Sequence, residues 1–280
     1  MLEYTEQELQ MLHATLYDIM GEVARVCDVL HIPYFVLGGT AIGVHYFDAI
    51  VPWDDDIDIG MTRVNYERFL REAPGVLREG YTLQWVDTDP HTPFYFAKVR
   101  RDGTRFVEDI TKHLDIHQGI FVDVFPYDIV PDSPFIQKMQ RTLAKYLNLA
   151  FISKDVWMCK YCGTTQCDNP YNWNIIYCAL FRIFVSLFSK KTFYRMFTYV
   201  LTFFNNGKGK NYNIVLMRRD HISRSSAENV VLRPFGPLMV YAPSDLTDYL
   251  HKHYPRLRKY LPKEEQVNHR PLELTFLKEE

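Results

Sequence analysis

The chain has 280 residues, of which 47% are hydrophobic and 15% aromatic, so it contains enough apolar side chains for a sizeable core. Its 32 basic and 34 acidic residues give a formal charge of −2. Because no general positive field is available to neutralise phosphates, we expect no nucleic-acid partner. The N-terminal segment lacks both a basic start and a continuous apolar run, so we predict no signal peptide and a cytoplasmic location.

A glycine doublet separates the first predicted strand from the second predicted helix. Apolar residues at helical spacing predict an amphipathic helix from residue 6 to about residue 30, and the apolar run at 32–37 predicts a short strand. This strand ends at Gly38-Gly39, after which Thr40 begins a short helix. Glycines have no Cβ, so the backbone here can turn tightly or approach a ligand closely.

Residues 53 to 59 read Trp-Asp-Asp-Asp-Ile-Asp-Ile, which predicts an extended, acidic strand. Alternation places Asp54, Asp56 and Asp58 on one face. Asp55 and the two isoleucines point to the other face. Ionised carboxylates on a half-buried strand are costly without a compensating charge, and carboxylate oxygens are ligands that suit Mg²⁺ or Mn²⁺. We therefore predict a divalent cation at this strand rather than a solvated acidic turn.

The rest of the first 130 residues reads as a mixed sheet with a flanking helix. The helix is expected from Arg63 to Glu79, with Thr62 as its N-cap. Strands are expected at 81–87 and 94–100, with a hairpin turn at 101–104, a return strand at 105–108 and a further strand at 119–128. Asp123 lies between two valines of this last strand, so its side chain should face solvent or a ligand.

The second half of the chain has a different pattern. We predict three parts: a catalytic core at 1–130, a helical subdomain at 131–225, and a segment at 226–280 that packs back on the core. The apolar stretch at 173–188 is interrupted by polar residues and is shorter than the roughly twenty residues of a membrane span. It is either a buried helix of the subdomain or a helix on a membrane surface. In the second case Lys190, Lys191 and Arg195 would contact headgroups.

The predicted side chains suit phosphoryl transfer, in which a protein mainly positions groups and neutralises charge on oxygens. Asp56 and Asp58 would hold one or two divalent ions that bridge the diphosphate of a nucleotide donor. Asp123 would complete the metal shell or take the proton from an acceptor hydroxyl. Lys98 and Arg100, which alternate on a predicted strand, are candidates for phosphate contacts or else surface charges.

Four segments together resemble the LicD/fukutin family of nucleotidyltransferase-fold phosphotransferases. They are Gly38-Gly39-Thr40, PWDDDIDIGMTRVNYERF from residue 52, KVRRDGT from residue 98 and GIFVDVFPYD from residue 119. The resemblance extends over about residues 5 to 130 and returns weakly near 233–255. The Pro-Trp-Asp-Asp-Asp-Ile-Asp string is its most specific part, and the predicted helical region carries no matching motif.

The resemblance implies an α+β fold, with a nucleotidyltransferase-type mixed sheet flanked by helices and an additional helical subdomain. It implies transfer of a phosphorylated small alcohol, such as phosphocholine, from a CDP-linked donor to a cell-surface glycan that is free or lipid-linked. Such an enzyme would work at the inner face of the plasma membrane with Mg²⁺ or Mn²⁺. By position, the metal-binding and catalytic acids are Asp56, Asp58 and Asp123, with Asp54 as a further ligand. The donor contacts are Gly38, Gly39 and Thr40.

One departure from the family pattern lies between the glycines and the acids. The family usually has an Arg-His pair before a Lys-Gly there, whereas this chain reads Tyr46-Phe47-Asp48-Ala49. A cation near the donor phosphates is therefore missing. Either His45 or a basic residue elsewhere replaces it, or the donor differs, or the activity is lost.

Two other functions stay open from the sequence. A glycosyltransferase also uses an Asp-x-Asp motif to hold a metal on a nucleotide sugar, although a dinucleotide-type βαβ region is expected before it and is not evident here. An inactive nucleotide-binding relative is the second alternative, and the missing cation favours it.

Overall fold

The computed structural model describes residues 4–156, 174–217, 220–266 and 268–277, without the side chains of 174–178 and 264. The helices are α1 (Glu6–Leu30), α2 (Gly38–Tyr46), α3 (Arg63–Glu72), α4 (Pro134–Ile152), α5 (Asn174–Ser186), α6 (Lys190–Thr202), α7 (Arg224–Glu228) and α8 (Leu246–His253). The strands are β1 (Phe35–Val36), β2 (Asp58–Thr62), β3 (Tyr81–Gln84), β4 (Ala97–Arg101), β5 (Arg105–Val107), β6 (Phe121–Val130), β7 (Asn211–Asn213), β8 (His221–Ser223), β9 (Val230–Phe235), β10 (Leu238–Pro243) and β11 (Glu273–Thr275).

A mixed β-sheet organises the N-terminal half, as the sequence predicts. Its strands follow the order β1-β2-β6-β4-β3, and β7 and β8 extend it from the far end of β6. The pair β2–β6 is parallel, whereas the other neighbours are antiparallel. Every residue of β6 is buried, because this strand is central and both of its faces are covered. The class is therefore α+β with a mixed sheet, as expected.

The opening helix α1 is confirmed over its predicted length. Thr5 and Glu8 form a reciprocal capping box at its start, which satisfies backbone donors that would otherwise lack partners. Its buried face packs against β4 and β6. His31 ends the helix in the left-handed conformation, with φ 51°. A short connection leads from this turn to β1, which is followed by the glycine doublet.

Two predicted elements have different limits. The acidic strand begins only at Asp58, because residues 54–57 form no ladder with a neighbouring strand. Burial still alternates there, with Asp55 and Ile57 buried. The helix predicted to reach Glu79 ends at Glu72 and passes into a 3₁₀ turn at Ala73–Gly75, since Pro74 has no N–H to continue the helix. Thr62 holds the N-cap position, although its side chain makes no capping hydrogen bond.

The predicted hairpin between residues 94 and 108 is wrong. Both edges of β4 are already occupied, by β3 on one side and β6 on the other. The segment after the Asp-Gly turn therefore cannot return along β4. It forms β5, which pairs with β11 near the C-terminal end of the chain. This pairing brings the C-terminal segment beside the sheet.

The helical region contains an apolar cluster of its own. Side chains of α4 and α6 supply most of it, including Leu147, Phe151, Phe193 and Phe197. The predicted apolar stretch 173–188 corresponds to α5, of which the side chains up to residue 178 lie outside the described residues. Among the described helices, none is both long enough and apolar enough to cross a membrane. The division into three parts stays a prediction.

The C-terminal part places a hairpin and a helix against the core. β9 and β10 pair through a tight turn at Gly236, and β10 lies beside β1. Helix α8 is capped by Asp245, whose side chain accepts a hydrogen bond from the Asp248 N–H at 3.1 Å. Helix α8 contacts α2, which begins at the glycine doublet.

Candidate active site

Strand register brings two of the predicted acids together. Asp58 on β2 lies directly opposite Asp123 on β6, and Lys98 on β4 lies opposite Asp123 on its other side. Residues directly opposite one another in a sheet project to the same face. The two carboxylates and the ammonium therefore form a row across three adjacent strands. The Asp-x-Asp motif and the lone acid between valines were the signals that predicted it.

Burial and like charge act together on these carboxyl groups. Burial, together with the charges of Asp56, Asp123 and Asp54, holds the pKa of Asp58 well above its ordinary value. Burial, Asp56 and Asp55 likewise raise the pKa of Asp54. Burial raises the pKa of Asp123 to about 7, against the opposing effect of Lys98. In the absence of a cation, the cluster thus favours bound protons over free negative charge.

The glycine doublet lies against these carboxylates. Gly38 has φ +57°, and a Cβ there would lie 3.3 Å from the Asp58 carboxylate, while a Cβ at Gly39 would overlap the carboxylate of Asp54. The side chain of Thr40 is buried and accepts a hydrogen bond from the Asp58 N–H at 2.8 Å. The structure therefore shows these three residues packed around the acids. Their predicted contact with the donor stays a prediction.

The two predicted phosphate-binding cations occupy different surroundings. The Lys98 ammonium lies 2.9 Å from Asp123 Oδ1 and 3.6 Å from Glu108 Oε2, and 3.3 Å above the Phe121 ring centroid. Arg100 is 1% exposed and donates to Gln84 Oε1 and to the Gly119 carbonyl, both at 2.6 Å. Burial lowers its pKa to about 10. Arg100 is thus a buried cation bonded within the sheet, and its assignment as a phosphate contact stays a prediction.

Asp55 binds groups outside the row of acids, although its carboxylate also approaches that of Asp56. Its Oδ2 accepts hydrogen bonds from the Tyr4 hydroxyl and from the His269 N–H, both at 2.8 Å. It therefore connects the start of the chain and the C-terminal segment to the acidic segment 53–57, which we call the acidic loop. Ligand atoms of Asp55, Asp56 and His269 lie within 4.8 Å of one another, although the side chain of His269 is exposed.

The donor atoms around the row fit a hard divalent cation. Asp54, Asp56, Asp58 and Asp123 offer carboxylate oxygens, which Mg²⁺ and Mn²⁺ prefer. Among the described residues, no three of these four acids have oxygens that all approach within 4.8 Å. Burial is the largest cause of their raised pKa values, and repulsion between the carboxylates adds to it. A bound cation would offset that repulsion. The chemistry of the set, rather than a preformed cage, supports a metal.

A cavity of about 720 Å³ opens beside the acids. Gly39, Trp53 and Asp54 line one wall, and the opposite wall is the segment from His253 to Leu261. This second wall carries Arg256, Arg258 and Lys259. The sequence analysis includes this segment only within residues 226–280, which are predicted to pack back on the core. The three cations within four residues were the signal that could have identified it.

A buried carboxylate holds this wall near the glycines. Asp220 is fully buried and accepts hydrogen bonds from the Tyr127 and Tyr249 hydroxyls, and the Nδ1 of His253 lies 3.0 Å from it. The Tyr249 hydroxyl in turn accepts a hydrogen bond from the Gly38 N–H at 3.2 Å. Helix α8 is therefore linked to the glycine doublet through one side chain, and no local sequence pattern indicates this link.

Comparison with known proteins supports the relationship that the motifs suggest. The family model described as "LicD/FKTN/FKRP, nucleotidyltransferase domain" matches residues 31–148. The chain is 29% identical over 138 residues to the lipopolysaccharide cholinephosphotransferase LicD of Haemophilus influenzae, covering 48% of each protein. It is 26% identical over 114 residues to an uncharacterized protein of Rickettsia typhi, covering 41% of this chain and 34% of that protein.

The matched region contains the whole row of charged residues. Residues 31–148 include the glycine doublet, the acidic loop, Lys98 and Asp123. The alignments cover less than half of either relative's own length. The basic wall at 253–261 lies outside the family match. Residues 31–148 of this chain are thus similar to the nucleotidyltransferase domain of the LicD family.

Proposed function

We propose that the chain is a metal-dependent phosphotransferase that moves a phosphorylated small alcohol, phosphocholine-like, from a CDP-linked donor to a cell-surface glycan. The observation that carries the proposal is the register of Asp58 with Asp123 in a carboxylate cluster whose pKa values are raised. The match of residues 31–148 to the LicD family model and the activity that names the Haemophilus influenzae relative support the reaction class. We further propose that the sheet is of the nucleotidyltransferase type.

The proposed metal ligands are Asp54, Asp56, Asp58 and Asp123. A bound Mg²⁺ or Mn²⁺ would neutralise charge on the phosphate oxygens of the donor. The chain's own residues would do the rest. Gly38 and Gly39 leave room beside the carboxylates, and the Thr40 hydroxyl fixes the Asp58 backbone.

Asp123 either completes this metal shell or, where it is not bound to the metal, is the residue that we propose to receive the proton of the acceptor hydroxyl. A group with a pKa of about 7 matches the working pH of most cells, where a base is most effective. Lys98, at 2.9 Å, would stabilise the carboxylate form before the reaction. Phe121, Phe94 and Phe96 surround this lysine and exclude water from the pair.

The test is a panel of donors incubated with the protein and Mg²⁺, namely CDP-choline, CDP-glycerol, CDP-ribitol and UDP-sugars, with release of CMP or UDP recorded. We expect CMP from one of the CDP donors, and loss of that release with EDTA, with Asp58→Asn and with Asp123→Asn. Asp28→Asn is the matched control, because Asp28 is an exposed carboxylate on α1. UDP release that survives Asp123→Asn would favour a glycosyltransferase, and nucleotide binding without turnover would favour an inactive relative.

We also propose that the helical region contacts a membrane surface, where a lipid-linked glycan acceptor would be found. Helices α4 and α6 contain no acidic residue. They expose large apolar side chains, among them Phe135 at 71%, Tyr199 at 65% and Phe203 at 59%. Exposed apolar groups beside positive charge are typical of surfaces that bind anionic lipid.

A further inference from the structure

The cavity beside the acids has walls of opposite charge. Asp54 lies on one wall, and Arg256, Arg258 and Lys259 come from the other, together with one acid, Glu265. Arg258 pairs with Glu265, whereas Arg256 and Lys259 have no carboxylate within ion-pair distance among the described residues. All three basic residues are exposed. Two cations without anionic partners thus border a cavity that begins at a carboxylate cluster.

Aromatic side chains connect the basic wall to the segment after α2. The Phe47 ring lies edge to face with Trp53 and with Tyr260, each at 6.1 Å between centroids. The Lys259 ammonium lies 5.4 Å from the centroid of Phe47. Tyr46 and Phe47 carry no charge, yet Phe47 packs against the segment that provides Lys259. Lys259 therefore provides a cation beside Phe47, in the segment where the Arg-His pair of the family pattern is missing.

The basic wall is held at the acids by internal contacts. Tyr249 links α8 to the Gly38 N–H, and Asp220 binds both Tyr249 and the ring of His253, which lines the cavity. Only Pro255 separates Tyr254, also on the cavity wall, from Arg256. The positions of the cations relative to Gly39 and Asp54 thus depend on buried groups rather than on surface contacts alone.

We infer that this cavity binds the nucleoside diphosphate part of a donor, with Arg256, Arg258 and Lys259 on the phosphate oxygens. The inference rests on the proposed function, since it names the donor pocket of the same site and the residues that supply the missing cation. Guanidinium and ammonium groups are the side chains that bind phosphates. A cavity of about 720 Å³ lies within the range of small-molecule sites. Trp53 offers an aromatic face beside the phosphate-binding residues.

Binding of CDP, measured by calorimetry on the full chain with Mg²⁺ and without any acceptor, tests this inference. We expect Arg256→Ala and Lys259→Ala each to weaken CDP binding about tenfold or more, because each removes a charge-assisted contact. Arg256→Lys should retain part of the affinity. Binding of CMP, which has one phosphate fewer, should change less. Arg233→Ala is the matched control, since Arg233 is exposed on β9 away from the cavity lining.

The outcomes separate this inference from the proposed function. Absence of CDP binding to the wild type, or equal affinity in the wild type and in both alanine variants, would overturn the inference. Turnover of CDP donors with unaltered KM in Arg256→Ala would support the phosphotransferase. It would show that the basic wall does not bind the donor. CDP binding that depends on Arg256 and Lys259, without turnover of any donor, would support the pocket and refute the phosphotransferase.

Discussion

Asp58 lies where like charges concentrate, and this determines how stability should depend on pH. Its carboxyl pKa is raised by burial and by three neighbouring carboxylates, from an ordinary value of 3.8. A folded state that binds more protons than the unfolded chain loses stability as pH rises. The loss begins near the ordinary carboxyl pKa and continues through the raised values, including about 7 for Asp123.

Asp58→Asn should therefore be more stable than the wild type in metal-free buffer, by a margin that grows as pH rises from about 4 to above 7. Melting temperatures of both proteins with EDTA, taken across this range, measure the margin. Saturating Mg²⁺ should raise the wild-type melting temperature at pH 8, because a ligand at 100 times its Kd stabilises by about 2.7 kcal/mol. The variant should gain less. A margin that is constant with pH would contradict the assigned cause.

Gly39 provides a second residue-scale test, since its missing Cβ leaves the space that the Asp54 carboxylate occupies. Gly39→Ala should cost about 1–3 kcal/mol of stability through overpacking and should impair metal binding by displacing Asp54. Gly75→Ala is the control, because a Cβ there meets nothing within 4 Å. Chemical denaturation and Mg²⁺ titration measure both effects. If both variants have the same stability and the same Mg²⁺ affinity, the Asp54 side chain moves aside at no cost and the prediction is wrong.

The charged row was predictable from residues alone, but its geometry was not. Alternation around Asp58 and Asp123 indicated which face each carboxylate would occupy, since strand periodicity is local. Their register depends on the parallel pairing of β2 with β6, which no local pattern specifies. The surroundings of Arg100 show the same limit. Strand alternation gives its face, whereas its burial follows from the contacts of Gln84 and Gly119.

At the scale of elements, the wrong hairpin prediction concerns a strand whose partner lies far away in the sequence. An Asp-Gly turn normally favours a hairpin, yet β4 had no free edge for β5. β5 instead pairs with β11, which is distant in sequence. The link between α8 and the glycine doublet is equally remote, because Tyr249 and Gly38 meet only in the folded chain. Local propensity carries no information on either contact.

Tyr249→Phe tests whether α8 positions the site. The change removes a hydroxyl that accepts from the Gly38 N–H and donates to the buried Asp220. We expect a loss of about 1–3 kcal/mol, because a buried charged acceptor loses a donor, together with weaker CDP binding. Thermal unfolding and calorimetry measure the two effects. Tyr199→Phe is the control, since Tyr199 is 65% exposed. Full stability with normal CDP affinity in Tyr249→Phe would show that the link is dispensable.

At the scale of the whole molecule, a net charge of −2 hides a strong separation of charge. Acids gather on the segment before β2, whereas the charged residues of α4 and α6 are all basic. Lys138, Lys145 and Arg195 are exposed and make no ion pair with described residues. This explains why overall charge, which argues against a polyanionic partner, does not argue against binding at an anionic surface.

The helical face should bind vesicles that contain anionic lipid and should bind zwitterionic vesicles weakly, because both apolar insertion and charge contribute. Lys138→Glu with Lys145→Glu should reduce binding by several-fold or more, since each basic residue near an anionic surface contributes about 1 kcal/mol. Phe135→Ser should reduce it through lost apolar contact. Val64→Ser on α3 is the control, because Val64 is 70% exposed but belongs to another helix. Co-sedimentation at low and high salt measures binding. If all variants bind vesicles equally, the helical face is not the membrane contact. If Val64→Ser loses as much binding as Phe135→Ser, exposed apolar residues contribute regardless of their position.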